Sequence, residues 1–476
     1  MKMTPMFEII AALLLMSIPR DTRALVAEQD NGDCTASHTV RELAVGLSRH
    51  RDITRLDRAP STQTHDVIFA VRRKNVDKLE EILLDISDPT SVNYGNHMTA
   101  REIADLTGCS DSRDAVIAHL EKTGARIVDQ SLEGAFITAR APVSLWEDLF
   151  DAEFHTYSVL TTQVSEEGVS SDGRRILKNY VRAEQYSLPI DLDAHVDSVF
   201  NTIQMPPLVL TTTTTPMKRK LNAHVGLSFI DSSVSMIPSK LKEAYNVDST
   251  LGHPLATQAV FETMGQYFSP EDLKDFQLTF AVPEMSVNTS FGNHSMSSAE
   301  CQVETNVTSC HQGNVDLQYL LAMSQGPTTY YSSEESWIGF LMDLVQHPNP
   351  PLVVSISYGS DEIDISSGEA DNFNFLAMAL AARGLTLVVA SGDDGAVSAG
   401  ARSDAAQCSY SPRFPTTNPY VLSVGASMVS YCVNDATRRD CVVTTIWSFN
   451  FYCHSRVRSL GLIVSLMVFM YNYCRV

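Results

Sequence analysis

Apolar positions along the chain change their spacing several times, and the changes predict two folded parts of different kinds. In the first part, about residues 64–160, alternation at 66–72 predicts a strand, and the spacing of Val76, Leu79 and Leu83 predicts a helix. The rest of this part is predicted as a helix opened by the capping box Thr99 and Glu102, a helix at 110–124, strands at 126–129 and 135–139, a helix at 145–150 and a last strand at 152–159. Their order predicts an α+β module with a split βαβ plan.

From about residue 225 onward, short apolar runs alternate with stretches of helical spacing. This pattern predicts an α/β part whose parallel sheet is covered by helices on both faces. The predicted strands are 257–261, 328–331, 351–358, 385–390 and 420–424, and the predicted helices are 237–245, 315–323, 337–345 and 373–383, with another opened by Ser269 and Pro270.

The segment 161–224 resembles neither part in composition. It is first acidic and serine-rich, then has a threonine run at 211–215 and the basic triplet 218–220. Such a segment cannot bury a core and is predicted to be a linker. It could be a passive tether, but exposed linkers are where cleavage concentrates, so a processing region is favoured.

The two ends of the chain have their own patterns. An apolar stretch after Lys2, followed by small residues at Ala24 and Ala27, predicts a cleaved secretory signal over 1–24. A lead segment at 25–63 precedes the first folded part. The second folded part is predicted to extend over 225–444, and its rhythm of strands and helices stops in the tail 445–476.

Charge narrows the class of partner. The chain has 56 acidic and 35 basic residues, a net charge of −21 and a pI near 5.0. Nucleic acid is therefore not expected as a partner, because phosphate binding needs a basic face. No membrane partner is expected either, since the apolar stretch 460–471 is shorter than the roughly 20 residues of a spanning helix. The acidity suits an acidic compartment.

Cysteines and glycosylation motifs agree with a secretory route. Of nine cysteines, the pairs Cys301/Cys310 and Cys432/Cys441 could each close a short loop as a disulfide. Asn-x-Ser/Thr motifs occur at Asn288, Asn293 and Asn306. Such motifs also arise by chance in polar loops, but their clustering after a predicted signal favours glycosylation of at least one.

Three motifs place reactive side chains where the fold would expose them. Asp393 lies in a glycine-flanked turn directly after the strand 385–390, at the carboxyl end where open α/β sheets bind ligands. Gln312 and Asp316 are spaced to project from one helical face. The third motif, Ser357-Tyr358-Gly359, ends the strand 351–358. Taken alone, Asp393 is more typical of a turn-forming residue, and the third motif of a strand that ends in glycine.

Longer motifs resemble the sedolisin family of serine-carboxyl peptidases, in particular its tripeptidyl-peptidase branch. The resemblance covers about residues 64–427. Matching stretches are Phe69-Ala-Val-Arg-Arg, Ser87-Asp-Pro-Thr-Ser-Val-Asn-Tyr-Gly95, Ala152-Glu-Phe-His155, Asp316-Leu-Gln-Tyr-Leu320, Ser355-Ile-Ser-Tyr-Gly359, Ala390-Ser-Gly-Asp-Asp-Gly395 and Phe414-Pro-Thr-Thr-Asn-Pro-Tyr-Val421. It implies a subtilisin-like parallel-sheet catalytic domain, here incomplete at its C-terminal end, behind an α+β ferredoxin-like activation prodomain at 64–160.

The resemblance also implies a role for each site residue. Asp316 matches the aspartate that orients the general base, and Gln312 occupies the position of the base glutamate. Asp393 matches the aspartate that donates a hydrogen bond to the oxyanion, and Ser357, Tyr358 and Gly359 match the substrate-binding strand. Because an amide cannot accept the serine proton, the pair lacks its base.

Two further family features are not found. No Gly-Thr-Ser motif for the nucleophile follows Asp393, and Ser448, Ser455 and Ser459 lack its glycine. The family's C-terminal calcium loop is not found either, so no cofactor is expected in this chain and no metal-binding residue is assigned. Both features would lie at or after the position where the resemblance stops, so the tail 445–476 is interpreted as non-family sequence that truncates the domain before the catalytic serine.

Two hypotheses of function follow. The first is an acid-acting peptidase zymogen that releases short peptides, with peptides or unfolded proteins and its own prodomain as partners, although this copy is expected to be inactive as written. The second is a pseudopeptidase that holds extended peptides without cutting them, or acts as an inhibitor or chaperone. Both place the protein in the secretory pathway, in a lysosome-like acidic vacuole or outside the cell.

Overall fold

The computed structural model describes residues 38–44, 53–161, 175–205, 236–247, 252–263, 265–292, 294–303, 310–333, 337–392 and 412–425. They all belong to one compact unit, His38–Val476. Several sequence predictions lie outside the described residues: the signal at 1–24, Asp393, Asn293, Asn306, the pair Cys432/Cys441 and the tail 445–476.

From β3 to β6 the N-terminal part follows the predicted order of strands and helices, and the predicted lead segment 25–63 contributes strands β1 and β2. Its elements are β1 His38–Leu43, β2 Ile53–Arg58, β3 Thr64–Val71, α1 Val76–Ser87, α2 Ala100–Thr107, α3 Ser110–Thr123, β4 Arg126–Ser131, β5 Phe136–Pro142, α4 Val143–Phe150, β6 Phe154–Thr161, β7 Arg175–Ala183, β8 Gln185–Pro189, α5 Ile190–Asp193 and β9 Val196–Phe200. The capping box of Thr99 and Glu102 forms at the start of α2 as predicted. Helix α3 ends at Gly124, whose φ of +87° favours glycine.

The central sheet of this part has the strand order β4-β5-β3-β9, and its neighbouring strands are antiparallel. This order is that of a split βαβ module, as predicted. One face of the sheet packs on α3 and α4, where Trp146 stacks on Phe150 and both rings contact Phe69. Strands β2, β6 and β7 form a separate antiparallel sheet.

The linker prediction is wrong for residues 175–205, which form three strands and a short helix. Strand β9 completes the central sheet by pairing with β3, and Tyr186, Leu188 and Val199 are fully buried. Their alternating apolar pattern is short and lies beside polar sequence, so composition over a long window conceals it. Residues 206–224, where processing was also predicted, lie outside the described residues.

The C-terminal part is an open parallel α/β structure. Its elements are α6 Pro238–Ala244, β10 Gln258–Glu262, α7 Pro270–Thr279, β11 Thr289–Phe291, α8 Ser298–Val303, α9 His311–Ser324, β12 Thr328–Ser332, α10 Trp337–Gln346, β13 Val353–Ile356, β14 Ser360–Asp361, α11 Ser367–Ala382, β15 Thr386–Ala390, β16 Arg413–Phe414 and β17 Leu422–Val424. The sheet order is β11-β12-β10-β13-β15-β17, with every neighbouring pair parallel.

Apolar side chains cover this sheet on both faces, as predicted. One face packs on α6, α7 and α9, and the other packs on α10 and α11. Two helices begin earlier than predicted, α9 at His311 and α11 at Ser367, because their first turns are polar and have no apolar spacing. Strand β13 ends at Ile356, two residues early, and β14 then pairs antiparallel with β16.

The N-terminal part packs against helix α11 of the C-terminal part. Arg73 lies over the ring of Phe375 with its guanidinium carbon 4.2 Å from the centroid, and it donates a 2.7 Å hydrogen bond to Asn372 Oδ1. At the start of α11, Glu42 Oε1 accepts a 2.8 Å hydrogen bond from the Gly368 N–H. Helix α11 therefore belongs to the core of both parts.

Candidate active site

Helix α9 presents Gln312 and Asp316 on one face, as their spacing predicts. It starts directly after a disulfide between Cys301 and Cys310, which confirms that predicted pair. Gln312 Nε2 donates a 2.8 Å hydrogen bond to Asp316 Oδ1. The Gln312 amide is thus held against the Asp316 carboxylate, and the base and orienting roles of the two positions stay predictions.

A third carboxyl, Glu262, joins this pair from the carboxyl end of β10. It is 0% exposed, and its Oε2 accepts a 2.5 Å hydrogen bond from the Tyr358 hydroxyl. Its Oε1 accepts no hydrogen bond in the described part of the chain. The Glu262 carboxyl nevertheless interacts electrostatically with the Asp316 carboxyl. Glu262 was not predicted from the sequence, although an acid at the end of a buried parallel strand is the same signal that indicated Asp393.

Burial dominates the electrostatics of this cluster. It raises the pKa of Glu262 well above the ordinary value of 4.5, the neighbouring Asp316 raises it further, and the Tyr358 hydrogen bond opposes the rise. Burial also raises the pKa of Asp316, while Ser357, Gln312 and Glu262 lower it. Two neighbouring carboxyls in one buried site do not both ionise easily. Because the pKa of Glu262 is raised more, the proton is favoured on Glu262 and the negative charge on Asp316.

Ser357 and Tyr358 lie at the same edge of the sheet. Burial raises the pKa of the Tyr358 hydroxyl well above its usual value, and the Glu262 and Asp316 carboxyls add to the rise. The Tyr358 ring packs edge-on against Phe261 at 5.9 Å between centroids. Ser357 lies beside Asp316 and lowers its pKa, although Ser357 Oγ forms no hydrogen bond of normal geometry within the described residues. The tyrosine side chain therefore supports the carboxyl cluster.

Gly359 and the end of β15 complete the edge. The Gly359 carbonyl accepts a 2.5 Å hydrogen bond from Arg413 Nη2. Strand β15 leads into Ser391, whose N–H donates to the Val424 carbonyl, and into Gly392. Asp393 comes next in sequence but lies outside the described residues, so its oxyanion role stays a prediction.

Asn288 is the one predicted glycosylation site that lies within the described residues. Asn288 is exposed, and its Oδ1 accepts a 2.8 Å hydrogen bond from the Thr328 N–H; its glycosylation stays a prediction. Within the described ranges, no cluster of three or more His, Cys, Asp or Glu side chains could hold a metal ion. No described helix is long and apolar enough to cross a membrane.

Comparisons with known proteins agree with this architecture. Residues 51–205 match the family model "Pro-kumamolisin, activation domain". Tripeptidyl-peptidase 1 from Pan troglodytes is 30% identical over 388 residues, which are 78% of this chain and 63% of that protein. Physarolisin from Physarum polycephalum is 28% identical over 388 residues, 77% of this chain and 61% of that protein.

This chain belongs to the sedolisin family. The resemblance drawn from the motifs is thus confirmed, and the matched activation domain includes strands β7 to β9 that composition had assigned to a linker. The chain spans 61–63% of the length of these two relatives.

A solved structure of the family was also compared. Pseudomonas sedolisin (serine-carboxyl proteinase), complexed with two molecules of pseudo-iodotyrostatin, matches 41% of this chain and 54% of that chain. Its sequence identity is 18% and its TM-score is 0.32, so the family assignment rests on the sequence matches.

Proposed function

We propose that this chain is the zymogen form of an acid-acting serine-carboxyl peptidase whose cleft holds extended peptides, and that it does not cut them while Gln312 occupies the base position. The observation that carries the proposal is the hydrogen bond from Gln312 Nε2 to Asp316 Oδ1. It reproduces the spacing of a base and its orienting partner with an amide in the place of the base.

Proton transfer explains why the amide matters. A serine nucleophile needs a neighbouring group that takes its proton as the hydroxyl attacks, and a carboxylate does so at acidic pH. An uncharged amide accepts a hydrogen bond but not the proton. Asp316 is a poor substitute because it is only 5% exposed and its Oδ1 already accepts from Gln312. Loss of a general base typically costs about 10²- to 10⁴-fold in rate.

Acidic surroundings suit the site. Burial raises the pKa of Glu262 and Asp316, so fewer charges have to be desolvated when the bulk solution is acidic. The same reasoning applies to the whole chain, whose net charge of −21 at neutral pH is reduced by carboxyl protonation. An acidic compartment reached through the secretory pathway, such as a lysosome-like vacuole, is therefore the proposed location.

A second candidate is a pseudopeptidase that binds peptides as an inhibitor or chaperone. It is favoured by the intact packing around Gln312, whose main-chain N–H also donates a 3.1 Å hydrogen bond to Gln266 Oε1. A peptide-binding edge can remain formed when the proton acceptor is lost.

Replacing Gln312 by glutamate tests the proposal. In a form of the protein that also carries the Gly-Thr-Ser nucleophile motif, Gln312→Glu should raise turnover of a tripeptide–coumarin reporter by at least about 10²-fold at about pH 4, because a proton acceptor returns beside Asp316. Gln318→Glu is the matched control, since it adds the same charge to α9 at a partly buried position whose amide donates to the Asp272 carbonyl.

The two candidates give different results in this assay. Turnover in Gln312→Glu and not in the control supports the peptidase lineage. Reporter binding without turnover in any variant supports the pseudopeptidase. Cleavage by the unaltered protein at a rate similar to that of Gln312→Glu would show that the amide is not what limits the reaction.

A further inference from the structure

Arg413 holds the segment that follows strand β13 at the carboxyl edge of the sheet. Its Nη1 donates a 2.8 Å hydrogen bond to Asp361 Oδ1, and its Nη2 donates a 2.5 Å hydrogen bond to the Gly359 carbonyl. Arg413 itself lies opposite Asp361 in the antiparallel pair of β14 and β16. One guanidinium therefore holds both the Asp361 side chain and the Gly359 backbone carbonyl in the segment that follows Ser357 and Tyr358.

The same side chain also packs against the end of β15. A side-chain carbon added at Gly392 would lie 3.0 Å from Arg413 Cγ and 3.5 Å from its Cδ. Gly392 has a φ of +82°, a conformation that favours glycine. The apolar part of the Arg413 side chain thus fills the space beside Gly392, while its guanidinium holds the Gly359 carbonyl.

Close approach of β16 fixes the direction of Gly359. A side-chain carbon on Gly359 would lie 2.6 Å from the Phe414 carbonyl oxygen, so the two backbones can meet only because this residue is glycine. With one side covered by Phe414 and its carbonyl held by Arg413, Gly359 has little freedom to rotate.

The ion pair of Arg413 and Asp361 is largely shielded from water. The side chains of Arg413 and Asp361 are only 13% and 11% exposed, so each needs the other for charge balance. A planar guanidinium can bind a carboxylate and a carbonyl with two separate nitrogen atoms, whereas a lysine ammonium is a single point charge. A lysine at position 413 would keep the positive charge but could not bind the carboxylate and the carbonyl with two separate nitrogen atoms.

We propose that Arg413 is a positioning residue for the peptide-binding edge: it holds Ser357–Gly359 and the turn at Gly392 in the arrangement that receives an extended peptide. The inference rests on the proposed peptide-binding function of this edge and adds a residue that no motif assigned to it. A peptide that adds to an ordered edge loses less conformational entropy than one that must order the edge on binding.

The test compares two partly buried arginines that both hold backbone carbonyls. Arg383 donates to the carbonyls of Val345 at 2.6 Å and His347 at 2.9 Å, directly before β15 and therefore at the opposite edge of the sheet. Arg413→Met and Arg383→Met each remove a guanidinium and keep an apolar stem. In the double variant Arg413→Met/Asp361→Asn, no unpaired carboxylate is left behind.

Binding of the tripeptide–coumarin reporter is measured by fluorescence anisotropy in the form of the protein that carries the Gly-Thr-Ser motif, and kcat and KM are measured in the Gln312→Glu variant of that form. We expect Arg413→Met and the double variant to weaken binding and raise KM by about 10- to 100-fold. Arg383→Met should lower the unfolding temperature and leave KM within about twofold. Arg413→Lys should not restore binding.

The outcomes separate this inference from the proposed function. Reporter binding that Arg413→Met leaves unchanged, or that Arg383→Met weakens equally, would overturn the positioning role and leave the proposed function intact. Weakened binding in the Arg413 variants with no turnover in Gln312→Glu would support the positioning role and contradict the peptidase. If the reporter binds none of the proteins, both proposals fail.

Discussion

At the scale of single residues, the candidate site depends on which groups carry protons. Tyr358 donates to Glu262, Glu262 interacts with Asp316, and Asp316 accepts from Gln312. Two ionised carboxyls would face each other without a donor between them, so one of the pair holds a proton, and the larger rise in pKa places that proton on Glu262. The buried cluster therefore carries one negative charge.

Glu262→Gln should remove part of the pH dependence of stability. Because the folded pKa of Glu262 is raised, its stabilising contribution is complete below 4.5 and is lost as the pH rises through the folded value. A glutamine offers Tyr358 an acceptor and Asp316 a donor at any pH. Urea unfolding at about pH 5 and about pH 8 should show a smaller loss of stability for Glu262→Gln than for the unaltered chain.

Glu262→Leu is the contrasting variant. It leaves the Tyr358 hydroxyl without its acceptor in a buried site, so we expect a loss of about 1–3 kcal/mol in the free energy of unfolding. If Glu262→Gln and the unaltered chain lose stability equally between the two pH values, the inference that Glu262 is protonated in the folded protein is wrong.

At the scale of elements, helix α11 is capped from within and from the N-terminal part. Ser366 Oγ accepts from the Glu369 N–H at 3.2 Å, and Glu42 of β1 accepts from the Gly368 N–H. Glu42 also accepts a 2.7 Å hydrogen bond from Tyr186. A carboxylate at a helix N-terminus is favoured by the free N–H groups and the helix dipole, so β1 contributes directly to the start of α11.

Gly368→Ala should disrupt this contact. A side-chain carbon at position 368 would overlap Ser198 Oγ and Glu42 Oε1, so alanine must displace these side chains and with them the Glu42 cap. We expect a loss of about 1–3 kcal/mol in the free energy of unfolding and faster hydrogen exchange at residues 366–372. Ser367→Ala is the control, because residue 367 is exposed and should change stability by no more than about 0.5 kcal/mol. Equal exchange in both variants would argue against a specific contact.

At the scale of the whole molecule, the N-terminal and C-terminal parts share one hydrophobic core. Ile68, Leu79 and Phe136 of the N-terminal part pack in the same cluster as Phe373 and Phe375 of α11. Two buried groups make the stability of this assembly depend on pH in opposite directions. Burial, together with the charge of Arg182, lowers the pKa of His65 to about 4. Burial, together with the charge of Glu42, raises the pKa of Glu369 to about 8.

The signs follow from these shifts. The contribution of neutral His65 is complete above 6.5 and is lost as the pH falls toward about 4. That of protonated Glu369 is complete below 4.5 and is lost as the pH rises through about 8. Between 6.5 and about 8 only the second effect operates, so we expect the free energy of unfolding to fall with rising pH across that interval.

Glu369→Gln should reduce this fall, because its amide does not ionise. Chemical unfolding at several pH values from about 6.5 to about 8 measures the slope. Glu80→Gln is the control: Glu80 also spans the two parts, through a 2.8 Å hydrogen bond from Tyr420, but it is exposed. A slope that both variants change equally would mean that Glu369 does not dominate this interval.

Local pattern was enough to predict much of the fold. Strands such as β3 and β15, the caps at Thr99 and Ser269, and the parallel sheet with helices on both faces followed from spacing and end residues alone. The positions of Gln312 and Asp316 on one helical face were predictable for the same reason. Strands β7 to β9 were missed because their apolar alternation is short and their stability comes from pairing with distant strands.

By itself, the sequence determined the family, the split βαβ and parallel α/β plans, and the presence of an amide where a base is expected. The tertiary structure alone decided that Glu262 and Tyr358 meet Asp316, that Glu42 caps α11, and that Arg413 joins Gly359 to Gly392. The physical reason is separation along the chain. Helical and strand spacing act over a few residues, whereas these contacts bring together groups tens to hundreds of residues apart, and only the packed sheet and helices place them side by side.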